Sequence, residues 1–292
     1  MRKENDIRDD ELRIIGRTSG RNAKKTGIWW GLGAGIIIII IVFAVLLALT
    51  RTRTIKPEET GVFEKTESAT KSEGEKWPDR PQDENGIAFT EVVEKVVNDI
   101  PLSIYIPHNA IPELCLHSLN YDDPQIIFAT QAADVRADNG KILGAFVLKG
   151  EPLSWGQSKR GFCSIIDGNM TIGVAENSPL FEQATEKGGY FFRQFPLVDN
   201  GTLVDSGPKG KSSRKALCER DGEFFVIKSQ TPESFHDFSQ ALIDLGVSNA
   251  IYLVGGTSYG FWRGKDGARV EFNEQRTPKY DNESYILWRA RD

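Results

Sequence analysis

The sequence predicts an α+β domain, one body of mixed strands with few helices, preceded by a single transmembrane helix. Three observations predict it. An uncharged apolar stretch lies near the N-terminus, short apolar runs punctuated by turn residues follow further on, and one segment has the spacing and ends of an amphipathic helix.

The stretch 27–50 holds no charged residue and includes six consecutive isoleucines, Ile36 to Ile41. At about 1.5 Å per residue it makes a helix roughly 36 Å long, enough to cross a hydrocarbon core of about 30 Å. A run of β-branched residues is a poor helix former in water. In lipid the cost of unpaired backbone groups leaves helix as the one conformation open to a lone span. Trp29 and Trp30 mark one end, where amphipathic rings favour the headgroup layer. A cleaved signal peptide has a shorter apolar core and a shorter charged lead. The tail 1–26 carries Arg2, Lys3, Arg8, Arg13, Arg17, Arg21, Lys24 and Lys25, against Arg51, Arg53 and Lys56 just beyond the span. This bias places the N-terminus in the cytoplasm and the C-terminal domain on the periplasmic or extracellular side.

The segment 51–85 is rich in Glu, Lys, Thr, Ser and Pro and nearly lacks large apolar residues, so it is expected to be a disordered linker. The folded domain is expected over 86–292. Its opening segment, 88–100, has apolar spacing that fits a helix, or a helix merging into a strand. Alternation over 102–106 and short apolar runs at 126–129 and 144–148 predict strands. The runs 161–166 and 170–174 flank Asp167-Gly168-Asn169, a hairpin turn, and Asp221-Gly222 separates a second pair. Thr231 as cap, Pro232 at the first position and Glu233 at the positive end of the dipole open a helix. Phe235, Phe238, Leu242 and Leu245 continue it at helical spacing, and Gly246 ends it. A buried strand over 250–254 then runs into Gly255-Gly256.

The net charge of −5 argues against a nucleic-acid partner. Cys115, Cys163 and Cys218 are odd in number and show no metal-ligand spacing. One disulfide would be compatible with them and none is required; three buried thiols are the expectation. The histidines, His108, His117 and His236, are scattered. Asn169, Asn200 and Asn282 open glycosylation-type triplets, which arise by chance and carry meaning only in a secretory host.

A set of motifs, taken in order, resembles the phosphodiester glycosidase family, which includes the enzyme that uncovers mannose 6-phosphate and many bacterial envelope proteins. The strand Asn249-Ala250-Ile251-Tyr252-Leu253, then Val254-Gly255-Gly256-Thr257-Ser258, resembles the family's strand ending in Asp-Gly-Gly-Gly/Ser followed by Ser. Arg193-Gln194-Phe195-Pro196-Leu197-Val198-Asp199-Asn200-Gly201 is similar to its Gln-Ser-Gly-Pro segment. Ser213-Arg214-Lys215-Ala216 followed by Asp221-Gly222-Glu223 is similar to its Arg-containing strand and hairpin. Asn139-Gly140-Lys141-Ile142-Leu143-Gly144, with Lys149-Gly150-Glu151, resembles the stretch after the family's Asn-Gly-Gly-Phe-Phe signature. That signature falls here on Gln131-Ala132-Ala133-Asp134-Val135 and keeps little of itself, and Val254 stands in the slot of the family's Asp.

The resemblance implies an envelope hydrolase or binding module for a sugar-1-phosphodiester of a surface glycan. It carries over Gln194, Arg214, Gly255, Gly256 and Ser258, with Thr257 in the slot of a Gly or Ser. The plain readings are a β-turn for the glycines and a structurally paired guanidinium for Arg214. As a site, the glycine corner would offer backbone N–H groups and two hydroxyls to an anion, and Arg214 a fork for phosphate oxygens. Glycosidic cleavage also needs a group that passes a proton or stabilises the developing cation. Val254 can do neither. Asp134 is the candidate carboxylate, with an ordinary loop carboxylate as its plain reading and Asp205 as a weaker substitute. The catalytic candidates are therefore Asp134, Arg214 and Ser258. Cofactor use stays open, and the replaced Asp argues against a metal. A catalytically inactive binding or structural module is the rival expectation.

Overall fold

The computed structural model describes residues 86–291 except 118, 206, 257 and 274–278. The expected tail 1–26, span 27–50 and linker 51–85 lie outside the described residues, as does Thr257. Among the described residues no helix is long and apolar enough to cross a membrane.

The described domain is sheet-rich, with two helices. Its first sheet runs β1 (Phe89–Val97), β2 (Ile100–His108), β13 (Glu223–Ser229), β12 (Lys215–Arg220), β14 (Asn249–Leu253), β10 (Pro196–Asp199) and β11 (Thr202–Leu203). A second runs β16 (Arg269–Phe272), β15 (Gly260–Arg263), β4 (Ile126–Gln131), β17 (Ser284–Ala290) and β3 (Ala110–Leu116). The third runs β6 (Glu151–Trp155), β5 (Ala145–Leu148), β9 (Tyr190–Gln194), β7 (Gly161–Ile166) and β8 (Asn169–Val174). Neighbouring strands in each sheet pair antiparallel.

One core joins the three sheets. Tyr105, Leu217, Val226, Ile251 and Leu253 come from the first, Phe128, Phe272, Ile286 and Trp288 from the second, and Phe146, Cys163, Ile165 and Phe192 from the third. Helix α1 (Leu180–Glu186) packs on the third sheet. Helix α2 (Phe235–Asp244) lies against β10 and β11 and buries Phe238, Ala241 and Leu242 completely. Truncating a ring such as Phe238 would cost about 3–5 kcal/mol in lost transfer and cavity energy.

Hairpins set the register. Asn98-Asp99, Lys149-Gly150, Asp167-Gly168, Asn200-Gly201 and Asp221-Gly222 each take two successive positive φ angles, the twist that joins right-twisted strands through two residues. The strands expected at 102–106, 126–129, 144–148, 161–166, 170–174 and 250–254 are all present, with ends shifted by one residue or a few.

Two expectations are corrected. The segment 88–100 holds no helix; it is β1 and the first residue of β2. Val92, Val93, Val96 and Val97 are β-branched and favour a strand, and Asn98-Asp99 folds β1 back onto β2 in register from Phe89↔His108 to Val97↔Ile100. The cap of α2 is Ser234, not Thr231: the Asp237 N–H donates to Ser234 Oγ at 3.0 Å. Glu233 is held extended by a two-way backbone bridge to Ser212, so the helix begins after it. The three cysteines are free, with Cys163 and Cys218 buried and Cys115 half-buried; burial raises all three thiols, which keeps them protonated and inert.

Candidate functional site

The site forms where β4, β9 and β14 end near one another. After β4 the chain passes through 132–135, and the Val254 N–H at the end of β14 donates to Ala132 O at 3.3 Å. The degraded signature therefore borders the glycine corner. An isolated bridge from Val135 to Ile142 and a bond from Leu143 N–H to Asp134 O (2.8 Å) fix the loop.

Asp134 is not an idle loop carboxylate. Its Oδ2 accepts from Gln194 Nε2 at 3.1 Å and forms an ion pair with Lys159. Gln194 is fully buried, and its Oε1 accepts from Lys159 Nζ at 3.2 Å and from the Phe195 N–H at 3.1 Å. Lys159 is nearly buried (7 % exposed), Asp134 is 30 % exposed, and the ammonium rides 4.7 Å above the Phe195 ring. Lys159 takes a φ of +65°, which a non-glycine residue adopts at some cost. Arg193 holds it there: Nη1 donates to Lys159 O (3.3 Å) and Ala175 O (2.8 Å), and Nη2 to Glu176 O (2.7 Å). Arg193 Nε is buried with no hydrogen-bond partner among the described residues.

Arg214 approaches from beneath α2. Its Nε donates to Glu233 O at 2.8 Å and its Nη2 to Gly210 O at 2.7 Å, while the guanidinium stacks 4.2 Å from the Phe235 ring. The Tyr252 ring lies 6.0 Å from the guanidinium. Burial first, then the charge of Asp134, raise the Tyr252 hydroxyl above the ordinary tyrosine range, against smaller opposing bonds from the Gly255 N–H and Arg214. Tyr252 therefore keeps its proton at neutral pH and stands within the influence of both Asp134 and Arg214.

The two glycines serve different needs. A Cβ on Gly255 would lie 2.6 Å from both Ser213 O and the Tyr252 hydroxyl, so the close approach admits no side chain. Gly256 has open space but a φ of +58°. The N–H groups expected to face an anion are engaged within the protein: that of Gly255 donates to Tyr252 Oη at 3.0 Å, that of Gly256 to Ser213 O at 2.9 Å.

Ser258 faces elsewhere. Successive residues of an extended strand point to opposite faces. Arg214 meets α2 while Lys215 turns into the core, where its Nζ donates to Ser258 Oγ at 2.7 Å and to Thr130 Oγ1. Of the residues expected from the sequence, Asp134 and Gln194 touch directly, while Arg214 and Gly255 each adjoin Tyr252. Gly256 lies on the same turn, and Ser258 lies behind it. Asp205 and His236 are exposed, and His108 is held by Glu91 at 2.9 Å. Sequence reasoning missed Lys159, which sits in a stretch without periodicity, and it took Tyr252 only as part of an apolar strand. Two surface concavities of about 290 and 270 Å³ lie away from this cluster, along β3 and the turns beside it. Among the described residues no three His, Cys, Asp or Glu side chains gather into a metal-holding group.

The sheets and the cluster thus define a sheet-rich α+β domain with one carboxylate, two cations and an aromatic wall at a junction of strand ends. Its fold is similar to the catalytic domain of zebrafish N-acetylglucosamine-1-phosphodiester α-N-acetylglucosaminidase, in a structure auto-inhibited by its pro-peptide. The TM-score is 0.50 and the identity 11 %, over 70 % of this chain and 83 % of that one. At that identity the likeness is one of fold. A hypothetical protein from Synechocystis also aligns, at TM-score 0.48 and 13 % identity, over 70 % of this chain and 62 % of that one. No protein-family model and no curated protein matches the sequence.

Proposed function

We propose that this chain is a membrane-anchored envelope protein whose domain hydrolyses a sugar-1-phosphodiester of a surface glycan at the face built by Asp134, Lys159, Gln194, Tyr252 and Arg214. The observation that carries the reading is a carboxylate, Asp134, bonded to Gln194 and paired with Lys159, whose ammonium lies on Phe195, the ring that meets Phe235 beneath the Arg214 guanidinium.

Such a substrate offers an anion, apolar sugar faces and an acetal carbon. Lys159 and Arg214 bring positive charge, and Phe195 and Tyr252, both half-buried, bring aromatic surface. The leaving group is a phosphate monoester, a stable anion, so it needs no strong acid. One carboxylate then suffices to stabilise the developing oxocarbenium ion or to activate water. Tyr252, kept protonated by burial, can donate to a phosphate oxygen as charge grows there. Anchoring through 27–50, with the N-terminus cytoplasmic and the domain periplasmic or extracellular, would set this face against envelope glycans.

The test is release of free sugar by the full chain in detergent from a panel of glycosyl phosphodiesters, beginning with an N-acetylglucosamine-1-phosphodiester. Activity is expected on at least one member, and none on the corresponding phosphomonoesters. Absence of release from every member by the folded protein would refute hydrolysis.

A second reading is a binding module without catalysis. Val254 in place of a carboxylate and the engaged donors of Gly255, Gly256 and Arg214 favour it. Saturable binding of a phosphodiester by calorimetry, with no sugar released, would select it.

A further inference from the structure

Arg193, on β9, is 4 % exposed, and among the described residues no carboxylate pairs with it. Burial draws its pKa below the ordinary arginine value, yet a guanidinium starts so far above neutrality that it keeps its charge. Its Nε is buried without a hydrogen-bond partner among the described residues. A buried, unpaired charge with an orphan donor weakens a fold. Against that cost stands one gain, the grip of its two terminal nitrogens on main-chain carbonyls.

Those carbonyls belong to two segments. Ala175 and Glu176 follow β8, and Lys159 lies in the loop that leads into β7. The Ala175 N–H donates to Arg160 O at 2.9 Å, so the segments run side by side. Arg193 leaves β9 on the face of Phe191, which packs with Ala184 of α1. Gln194 leaves on the opposite face, that of Phe192 and the main core. Lys159 spans the two faces. Its carbonyl meets Arg193, while its ammonium meets Asp134 and, at 3.2 Å, Gln194 Oε1. The φ of +65° is the turn that lets one residue do both, and a lysine left to itself avoids that region. A planar fork can hold two segments at once, whereas a lysine at 193 would donate from a single nitrogen.

We propose that Arg193 is a positioning residue for the Asp134 face: by clamping the backbone of 159, 175 and 176 it holds the Lys159 ammonium against Asp134 and Gln194. Its effect on turnover rests on the glycosidic reading; the clamp itself does not. With the clamp removed, Lys159 returns to a negative φ and its ammonium swings into water. Asp134 then loses its counter-charge, and the face loses a cation that would meet a phosphate.

Two readouts on the full chain in detergent test the clamp, with a thermal melt on every sample. The first is acetylation of lysines by a water-soluble activated ester, followed residue by residue by mass spectrometry. Lys159, 7 % exposed, should react slowly in the wild type and about tenfold faster in Arg193→Lys, while the exposed Lys141 keeps its rate. Equal rates at Lys159 in the two folded proteins would overturn the proposal. The second is a double-variant cycle on sugar release from an N-acetylglucosamine-1-phosphodiester. Arg193→Lys should lower kcat in the wild type and change nothing further in Lys159→Met, because both act through one ammonium. An equal loss in both backgrounds would mark a merely structural arginine and overturn the positioning role. If Arg193→Lys fails to fold, Arg193→Met takes its place with the same expected results, since an apolar side chain is often tolerated where a buried charge stood. Failure of both to fold would make Arg193 a residue of the fold alone and sink the proposal. The labelling needs no turnover, so failure of the hydrolytic reading and failure of the clamp are told apart.

Discussion

Two polar clusters lie on opposite faces of the first sheet where β12 and β14 end, and they treat charge in opposite ways. On the side of α2, Asp134 meets Lys159 and Gln194, and Lys159 reaches Arg214 by way of the Phe195 and Phe235 rings. Opposite charges are matched there, and Asp134 remains partly open to water. On the core side, Lys215 has hydroxyls and a second lysine but no carboxylate among the described residues. The difference comes from a single step along the chain: Arg214 and Lys215 are neighbours whose side chains leave the strand on opposite faces. A matched cluster can keep its charges and meet a charged ligand. An unmatched amine is driven to neutrality, and a neutral amine is a base. One strand end thus holds two opposite electrostatic environments.

The comparison can be broken in several places. Among effects on binding and stability, the largest is expected at Arg214. Arg214→Lys keeps the charge but loses the planar fork, and calorimetry should show phosphodiester affinity falling roughly 10–100-fold, about 1.4 kcal/mol per tenfold. Unchanged affinity would remove Arg214 from the site. Next comes Lys159→Met, which strips the counter-ion from Asp134. Because Asp134 is 30 % exposed, the loss is smaller than for a fully buried pair. About 1–2 kcal/mol by urea unfolding is expected, and no change would mean that the pair is held only by its surroundings.

A smaller effect, about 1 kcal/mol, is expected for Ser234→Ala, which removes the cap of α2 and loosens the helix that roofs Arg214. Thr231→Ala should cost less, and the reverse ranking would restore Thr231 as the cap. The smallest effect on stability near neutral pH is expected at Lys215→Met, where removal of a buried amine is neutral or stabilising. Its signature is the pH dependence. Lys215 is lowered in the folded state, so between its own pKa and the ordinary lysine value of about 10.4 the unfolded chain binds a proton that the folded chain lacks. Wild-type stability should therefore gain an upward contribution with pH through that window, and Lys215→Met should lose it. Identical slopes in the two proteins would mean that Lys215 is charged when folded.

Much of the fold was legible because its hairpins are written in the chain. Asp167-Gly168 and Asp221-Gly222 announce two-residue turns, and the apolar runs beside them are strands for the expected reason. The first hairpin was misread because Val92, Val93, Val96 and Val97 fit a helical stripe as well as a strand, and Asn98-Asp99 is a weaker turn signal than Asp-Gly. The helix start was misread because Thr231, Pro232 and Glu233 mimic a capped first turn. The competing bridge from Ser212 to Glu233 joins residues far apart in sequence.

The candidate site was legible in part. Motif order singled out Gln194, Arg214 and the glycines, and Asp134 stood beside the eroded signature. Lys159 carries no local pattern; only the folding of β9 beside the 157–160 loop brings it to Asp134. The separation of Ser258 from Arg214 depends on which way each side chain leaves its strand. Spacing alone cannot give that when the contacts belong to different sheets.

The central claim is that Asp134 works on a glycosyl phosphodiester rather than merely holding Lys159 in place. Its most direct test compares free-sugar release from an N-acetylglucosamine-1-phosphodiester by the wild-type chain and by Asp134→Asn, with thermal melts run on both. Turnover by the wild type, reduced about 10²–10⁴-fold in a folded variant, is the predicted result. Equal turnover by the two proteins would contradict the account.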